Sequence, residues 1–259
     1  MDIISSFVIC LSMYSIIPMP MTEWTDKKMR YCFLFLPFVG VIISAFWFLA
    51  FVMVYNFSLN FMAIILILVP VFVSGGIHID GLIDTCDAIF SYGSKEKKLE
   101  ILKDPRTGAF GVIGAIVYFL LMYATYSEVL KNAYSWNNFL PFIAVGLTFV
   151  MSRAIGALTM LSVPKARKNG LGATFSGASS QKINKIVLAI WIIISLAIYA
   201  LISWQVCLAI IFVMAVFLCF FVSTIKKEFG GITGDLTGFI ISVTELLLPL
   251  TMLVTLNLI

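Results

Sequence analysis

The chain has 259 residues, 61% of them hydrophobic and only 12% charged, with a formal net charge of +4 and a mean hydropathy of +1.08. Apolar stretches of about 20 residues recur along its whole length, which excludes an ordinary soluble domain and indicates a polytopic integral membrane protein. So short a chain leaves little outside the bilayer, so any site has to be assembled from helix ends and short loops, and membrane topology explains the positive charge without nucleic acid.

The first apolar stretch, Ile3 to Ile17, has no basic leader and ends in Pro18-Met19-Pro20 without a small-residue cleavage site. It reads as a short membrane-embedded helix rather than a cleaved signal peptide. Apolar runs bounded by charges, Pro or Asn then predict spans near 31–55, 59–78, 108–127, 139–162, 186–203, 205–224 and 238–258. The expected fold is therefore all-α: a transmembrane helical bundle of about seven spans plus the N-terminal helix, forming one integral membrane domain over 1–259. The connections near 79–107, 163–185 and 225–237 collect the basic residues, as do Lys27, Lys28 and Arg30, while the opposite side shows only Lys131. Lys and Arg accumulate in cytoplasmic loops, so these connections are assigned to the cytoplasmic face of the cell membrane.

Cys10, Cys32, Cys86, Cys207 and Cys219 lie mostly in apolar segments with no CxxC spacing, and read as packing residues. Trp24, Trp136 and Trp204 fall near predicted interfaces, where indole rings anchor helices.

The most informative stretch is Asp80-Gly-Leu-Ile-Asp84-Thr-Cys-Asp87, which holds three of the chain's 13 acidic residues. On a helix these carboxylates fall within an arc of about 60° and repel one another unless a cation lies between them. Oxygen-only ligands favour a hard ion such as Mg²⁺, completed by water and substrate phosphates. The alternative is a solvated helix start, where Asp is stabilising. Just upstream, Gly75-Gly76 allows close approach of either a phosphate or a neighbouring helix. The chain's single histidine, His78, is a candidate base, ligand or hydrogen-bond partner.

Three further motifs fall on the same face. Lys103-Asp104-Pro-Arg106 offers a carboxylate between two cations, suited to a phosphate ligand with its metal. The stretch Lys165-Ala-Arg167-Lys168-Asn169-Gly170 mixes cations with glycine and is equally consistent with a phosphate grip or with topogenic charge. Gly230-Gly231-Ile-Thr-Gly234-Asp235 opens the last span with free N–H groups that bind anions, and Asp235 is placed to join a metal site from another helix. Within the spans, Glu245 is costly unless paired, and Arg153 is its candidate partner or a ligand contact. Polar motifs gathered on one face favour an enzyme over a transporter, which would need polar groups at the midplane and on both sides.

These motifs resemble the cobalamin synthase family, adenosylcobinamide-GDP ribazoletransferases. The resemblance rests on Gly-Gly-Ile-His-Ile-Asp-Gly-Leu-Ile-Asp-Thr-Cys-Asp at 75–87, Ile-Leu-Lys-Asp-Pro-Arg-Thr-Gly-Ala-Phe-Gly at 101–111, Asn169-Gly-Leu-Gly172 and Gly-Gly-Ile-Thr-Gly-Asp at 230–235. Met13 to Pro20 resembles the family's opening, with Ile16 where a basic residue is expected. The resemblance implies Mg²⁺-dependent transfer of adenosylcobinamide phosphate from its GDP ester to α-ribazole or α-ribazole 5′-phosphate, releasing GMP. It implies Asp80, Asp84 and Asp87 as Mg²⁺ ligands, Asp235 and Asp104 completing or orienting them, Lys103 and Arg106 on the pyrophosphate, and His78 or an Asp as proton acceptor. Gly170, Gly230, Gly231, Gly234 and Arg153 complete the expected substrate contacts. The expected partners are these substrates, the lipid bilayer and a second copy of the chain, with no nucleic acid. The other readings are a CDP-alcohol-type phosphotransferase, whose longer Asp spacing is absent, and a transporter of a cation or cobamide precursor.

Overall fold

The computed structural model describes residues 2–135, 137–167 and 171–259, so Trp136 and Gly170 lie outside the described residues. The described chain is helical. Helix α1 (Asp2–Tyr14) is followed by a short α2 (Asp26–Met29) and a 3₁₀ turn, Cys32–Phe35, that leads directly into α3 (Leu36–Val54). Helices α4 (Leu59–Val73), α5 (Ile77–Phe90), α6 (Lys95–Ile101), α7 (Ala109–Ser135), α8 (Leu140–Ser162) and α9 (Leu171–Ala178) follow, then α10 (Gln181–Ile202), α11 (Trp204–Phe229) and α12 (Gly234–Leu258). Six helical stretches are long and apolar enough to cross a bilayer, and the α4–α5 pair, bent by 93°, makes a seventh if taken as one span. The protein is thus a multi-pass membrane bundle with a short apolar helix at its N-terminus.

Several expectations about boundaries need correction: the span expected over 59–78 ends at Val73, and the 163–185 connection contains α9 and the start of α10. The stretch 79–107 is not simply a loop: it contains most of α5 and all of α6. The last connection shrinks to 230–233, because α11 continues to Phe229 and α12 starts at Gly234, ahead of the first sustained apolar run. The early start of α12 has a local cause, since the Thr233 hydroxyl accepts a hydrogen bond from the Leu236 N–H at 3.3 Å and caps the helix.

Helix α4 holds only 15 residues, about 22 Å at 1.5 Å per residue, too short to cross the hydrocarbon core alone. It ends where Pro70 weakens the ladder and Gly75 and Gly76 adopt φ of +65° and +77°. Glycine alone enters that region without steric cost, so the paired glycines make the sharp turn into α5. The Ile16 side chain packs against this turn, 3.0 Å from where a Cβ on Gly75 would sit.

The bundle is organised around α8, 83% of whose apolar window is buried, whereas the figure for α10 is 17% and much of its surface is available to lipid. Small residues set the close approaches, as is usual when lipid removes the hydrophobic driving force between helices. A Cβ on Gly40 of α3 would lie 2.3 Å from the Phe149 carbonyl of α8, and the Ser44 hydroxyl donates to the Gly146 carbonyl across the same interface at 2.6 Å.

Arg153 of α8 and Glu245 of α12 form a direct ion pair, with relative exposures of 0% and 4%. Arg153 also donates to the Phe149 carbonyl at 2.9 Å and to the Ser152 hydroxyl at 3.2 Å. A pair so placed is costly to bury and far costlier to break. Arg153→Ala should lower stability in lipid by about 3–5 kcal/mol, read by thermal unfolding. Joint replacement by Met and Leu should recover most of the loss; no recovery would show that the helices are held there by something else.

Candidate active site

The α4–α5 turn brings α5 across the start of α12. The crossing is glycine on glycine: a Cβ on Gly81 would meet the Asp235 carbonyl oxygen at 2.6 Å, and one on Gly238 would meet the His78 carbonyl at 3.2 Å. The Ser242 hydroxyl donates to that His78 carbonyl at 3.1 Å. This contact sets carboxylates from two helices against each other, because Asp84 lies within electrostatic reach of Asp80, Asp235 and Asp87, and Asp235 within reach of Asp80.

Asp87 has a different task from its neighbours. Its carboxylate accepts the N–H groups of Gly108 at 2.7 Å and Gly111 at 2.8 Å, and only 8% of the residue is exposed. Those N–H groups open α7, so a buried carboxylate from another helix caps that terminus and meets its positive dipole end. Cβ atoms on Gly108 and Gly111 would each come within 2.5 Å of this carboxylate, which explains both glycines. The expectation that all three stripe carboxylates face one ion is therefore revised: Asp80 and Asp84 converge with Asp235, while Asp87 holds the start of α7.

A cavity of about 330 Å³ opens between α1, α5, α8 and α12. Its polar lining includes His78, Asp80, Asp235, Thr233, Lys165 and Arg167. Tyr14 and Met13 of α1, Phe33, Met160 and Ile241 give it an apolar wall. The His78 ring stacks on Tyr14 with centroids 6.1 Å apart, and its buried Nε2 has no hydrogen-bond partner.

The cations at the cavity are not those expected from sequence. Arg106 grips Asp104 through Nε at 2.9 Å and Nη2 at 2.7 Å, holding that carboxyl down at about 2, and both Arg106 and Lys103 project from the surface. In this loop it is Leu102 that reaches the cavity. Lys165 and Arg167 come instead from the α8–α9 connection, which pairs with the α11–α12 turn: Ile232 N–H donates to the Pro164 carbonyl at 2.8 Å and Ala166 N–H to the Ile232 carbonyl at 3.1 Å. Gly231 permits this pairing, since a Cβ there would fall 2.4 Å from the Pro164 oxygen. Gly230 supplies the turn at φ +72°, and Gly234 lines the cavity with nothing within 4 Å of its would-be Cβ. The Arg167 guanidinium donates to the Leu99 carbonyl of α6, and α6 is itself fastened to α11 by Lys98–Glu228 at 2.8 Å. Burial, with Lys185 nearby, pulls the Lys165 ammonium down to about 8. Arg153 remains with Glu245 and is absent from the cavity lining.

The model of the cobalamin-5-phosphate synthase family matches residues 6–253. The chain belongs to that family. Its relatives include the adenosylcobinamide-GDP ribazoletransferase of Lachnoclostridium phytofermentans, 38% identical over 97% of this chain and 94% of that protein. The proteins of the same name from Clostridium botulinum strain Alaska E43 and Treponema denticola are 33% and 30% identical, covering 95% and 93% of this chain and 95% and 94% of theirs. No solved structure matches. The family's relatives are named as enzymes, and the cavity joining α5, α12 and the 163–167 connection is this chain's candidate active site.

Among the described residues no three His, Cys, Asp or Glu side chains form a ready-made metal cluster. The donors do fit a hard ion of the Mg²⁺ kind, which takes one or two carboxylates and completes its shell with water and substrate phosphate. Asp80 and Asp235 are all-oxygen donors from two helices lining one cavity, with Asp84 within electrostatic reach of both. Gly81→Ala tests the crossing that gathers them. The new methyl meets backbone, so α5 and α12 must separate, and a displacement near 1 Å costs on the order of 10²-fold in kcat/KM. Activity should fall steeply in a protein that still folds with a moderately lowered melting temperature; retained activity would mean that the α5–α12 spacing does not govern the site.

Proposed function

We propose that this protein transfers adenosylcobinamide phosphate from adenosylcobinamide-GDP to α-ribazole or α-ribazole 5′-phosphate, yielding adenosylcobalamin or its 5′-phosphate and GMP, with Mg²⁺ and on the cytoplasmic face of the cell membrane. Family membership supports the reaction class. The observation that carries the residue assignment is the convergence of carboxylates from α5 and α12 on a cavity lined by Lys165 and Arg167. The cytoplasmic assignment is supported by the basic residues concentrated in the connections at that end of the bundle.

In the reaction, a ribose hydroxyl oxygen attacks the phosphorus that carries the cobinamide arm. The new P–O bond forms as the P–O bond to GMP breaks, and GMP leaves with the bridging oxygen. Such a transfer depends on positioning and charge neutralisation more than on covalent catalysis. Asp80, Asp84 and Asp235 would hold Mg²⁺, which when bound neutralises phosphate charge. Arg167 and Lys165 bind and orient phosphate oxygens. His78, which lines the cavity, or one of the carboxylates accepts the hydroxyl proton. A cavity of about 330 Å³ lies at the small end of ligand pockets, so the corrinoid remains outside and only its phosphate arm enters.

The decisive experiment supplies both substrates to the purified protein in lipid and follows GMP release with and without Mg²⁺. Product should require the ion, and Asp84→Asn should lower kcat/KM by about 10²-fold or more. Wild-type activity in that variant would remove Asp84 from the site, and product without Mg²⁺ would remove the metal. The pH dependence gives a second check. The free-enzyme Lys165 ammonium, lowered to about 8, is charged below that pH and loses its proton above it. Phosphate attraction is therefore present on the acid side, and kcat/KM should fall as pH rises through about 8. Lys165→Arg should move that limb to higher pH; an unmoved limb would assign it to another group.

A further inference from the structure

Beside the cavity lies a second, more open groove of about 750 Å³, bordered by Lys165, Arg167, Lys185, Gln181, Pro164 and Ser162. Lys165 and Arg167 line both spaces, so the groove continues outward from the reacting centre. Among the described residues, none of its three cations forms an ion pair with a carboxylate. Lys165 donates to the Met160 and Val163 carbonyls, and Arg167 to the Leu99 carbonyl. Backbone carbonyls hold Lys165 and Arg167 in place; Arg167 also lies within electrostatic reach of Asp235, whereas Lys165 and Lys185 lie close enough to repel. Like charges held together without a counter-ion make a site for a dianion. No carboxylate borders the groove, so a bare phosphate enters it without the divalent ion that the Asp80–Asp235 end calls for.

We propose that this groove binds the phosphomonoester of the acceptor nucleotide, with Lys185 as the cation that distinguishes a 5′-phosphorylated acceptor from the free nucleoside. The inference rests on the transferase reading of the neighbouring cavity. An acceptor whose ribose hydroxyl lies at the reacting phosphorus carries its 5′-phosphate one sugar away, and the shared Lys165 and Arg167 lead from one place to the other. The attacking and leaving sides are then separated by charge: the carboxylate end takes the metal-neutralised diphosphate and the groove takes the phosphate that stays on the product. The groove's open outer side suits a group that enters and leaves with every turnover.

The test measures kcat/KM for α-ribazole 5′-phosphate and for α-ribazole, with wild-type protein, Lys185→Ala and Lys185→Arg in vesicles of zwitterionic lipid alone and with anionic lipid added. Loss of one charge-assisted contact should lower the ratio between phosphorylated and free acceptor by about tenfold in Lys185→Ala, with Lys185→Arg close to wild type and the same ratios in both lipids. Equal loss for both acceptors would transfer the groove to the donor, and an unchanged ratio would reduce Lys185 to a topogenic charge. A change seen only with anionic lipid would make the occupant a lipid headgroup. Calorimetric titration of α-ribazole 5′-phosphate into the same proteins separates this inference from the reaction it rests on. Lys185-dependent binding without turnover would retain the groove and overturn the transferase, and binding indifferent to Lys185 would overturn the groove.

Discussion

The crossing of α5 over the start of α12 is the contact on which the rest of the site depends. Gly81 sits against the backbone of Asp235 and Gly238 against that of His78, so the two helices touch with no side chain between them. Two backbones this close are uncommon in a membrane bundle without small residues on both sides. The crossing needs α5 to leave the direction of α4, which the left-handed pair Gly75 and Gly76 achieves with a 93° bend. One turn, two facing glycines and one threonine cap at Thr233 thus convert a sequence-local Asp stripe into a site shared by two helices.

The acidic residues divide their work by burial. Asp80 is exposed and lines the cavity, Asp84 is half-buried and outside its lining, and Asp87 is buried and committed to two backbone N–H groups. A carboxylate so engaged has its acceptor capacity met by backbone N–H groups as it leaves solvent, and it ties the start of α7 to the end of α5. Deeper in the bundle, the Arg153–Glu245 pair performs the corresponding task for α8 and α12. The first fixes where α7 begins, the second how α12 sits against α8, and Asp235 lies on the helix that the deeper pair holds.

The legible and illegible parts of this structure separate along a physical line. Hydropathy located most of the spans, because a bilayer imposes its length on any helix that crosses it: α8, expected over 139–162, is observed over Leu140–Ser162, whereas the run at 59–78 breaks after Val73. The partnership of Arg153 with Glu245 was also readable, since two lone charges in apolar helices have little else to satisfy them. The sharp turn after α4 was less so: paired glycines mark either ligand approach or helix packing, and only their φ values distinguish a bend. The role of Asp87 was hidden, and that of Lys165 and Arg167 left open between a phosphate grip and topogenic charge, for another reason. Asp87 is defined by N–H groups more than 20 residues away, and the two cations by a backbone pairing of the 164–166 segment with Ile232. Asp104 and Arg106 attracted attention as a carboxylate between cations, yet their proximity in sequence is what lets them satisfy each other.

Charge at the cavity ties the proposed chemistry together. Asp80 and Asp235 line the cavity beside Lys165 and Arg167, and Asp84 lies within electrostatic reach, so without an added cation these carboxylates repel a diphosphate ester that has to enter. Partial burial strengthens that repulsion relative to water. A divalent ion reverses the sign of the local field and makes the same three carboxylates favourable to a phosphate ligand, which is why they are more informative than an equal number of lysines would be. The groove beyond Lys165 has the opposite character, with cations and no bordering carboxylate. On the proposed reading, a carboxylate-bearing cavity and a cationic groove on either side of one shared lysine and arginine give the polarity needed to hold two phosphate-bearing reactants at once without letting either occupy the other's place.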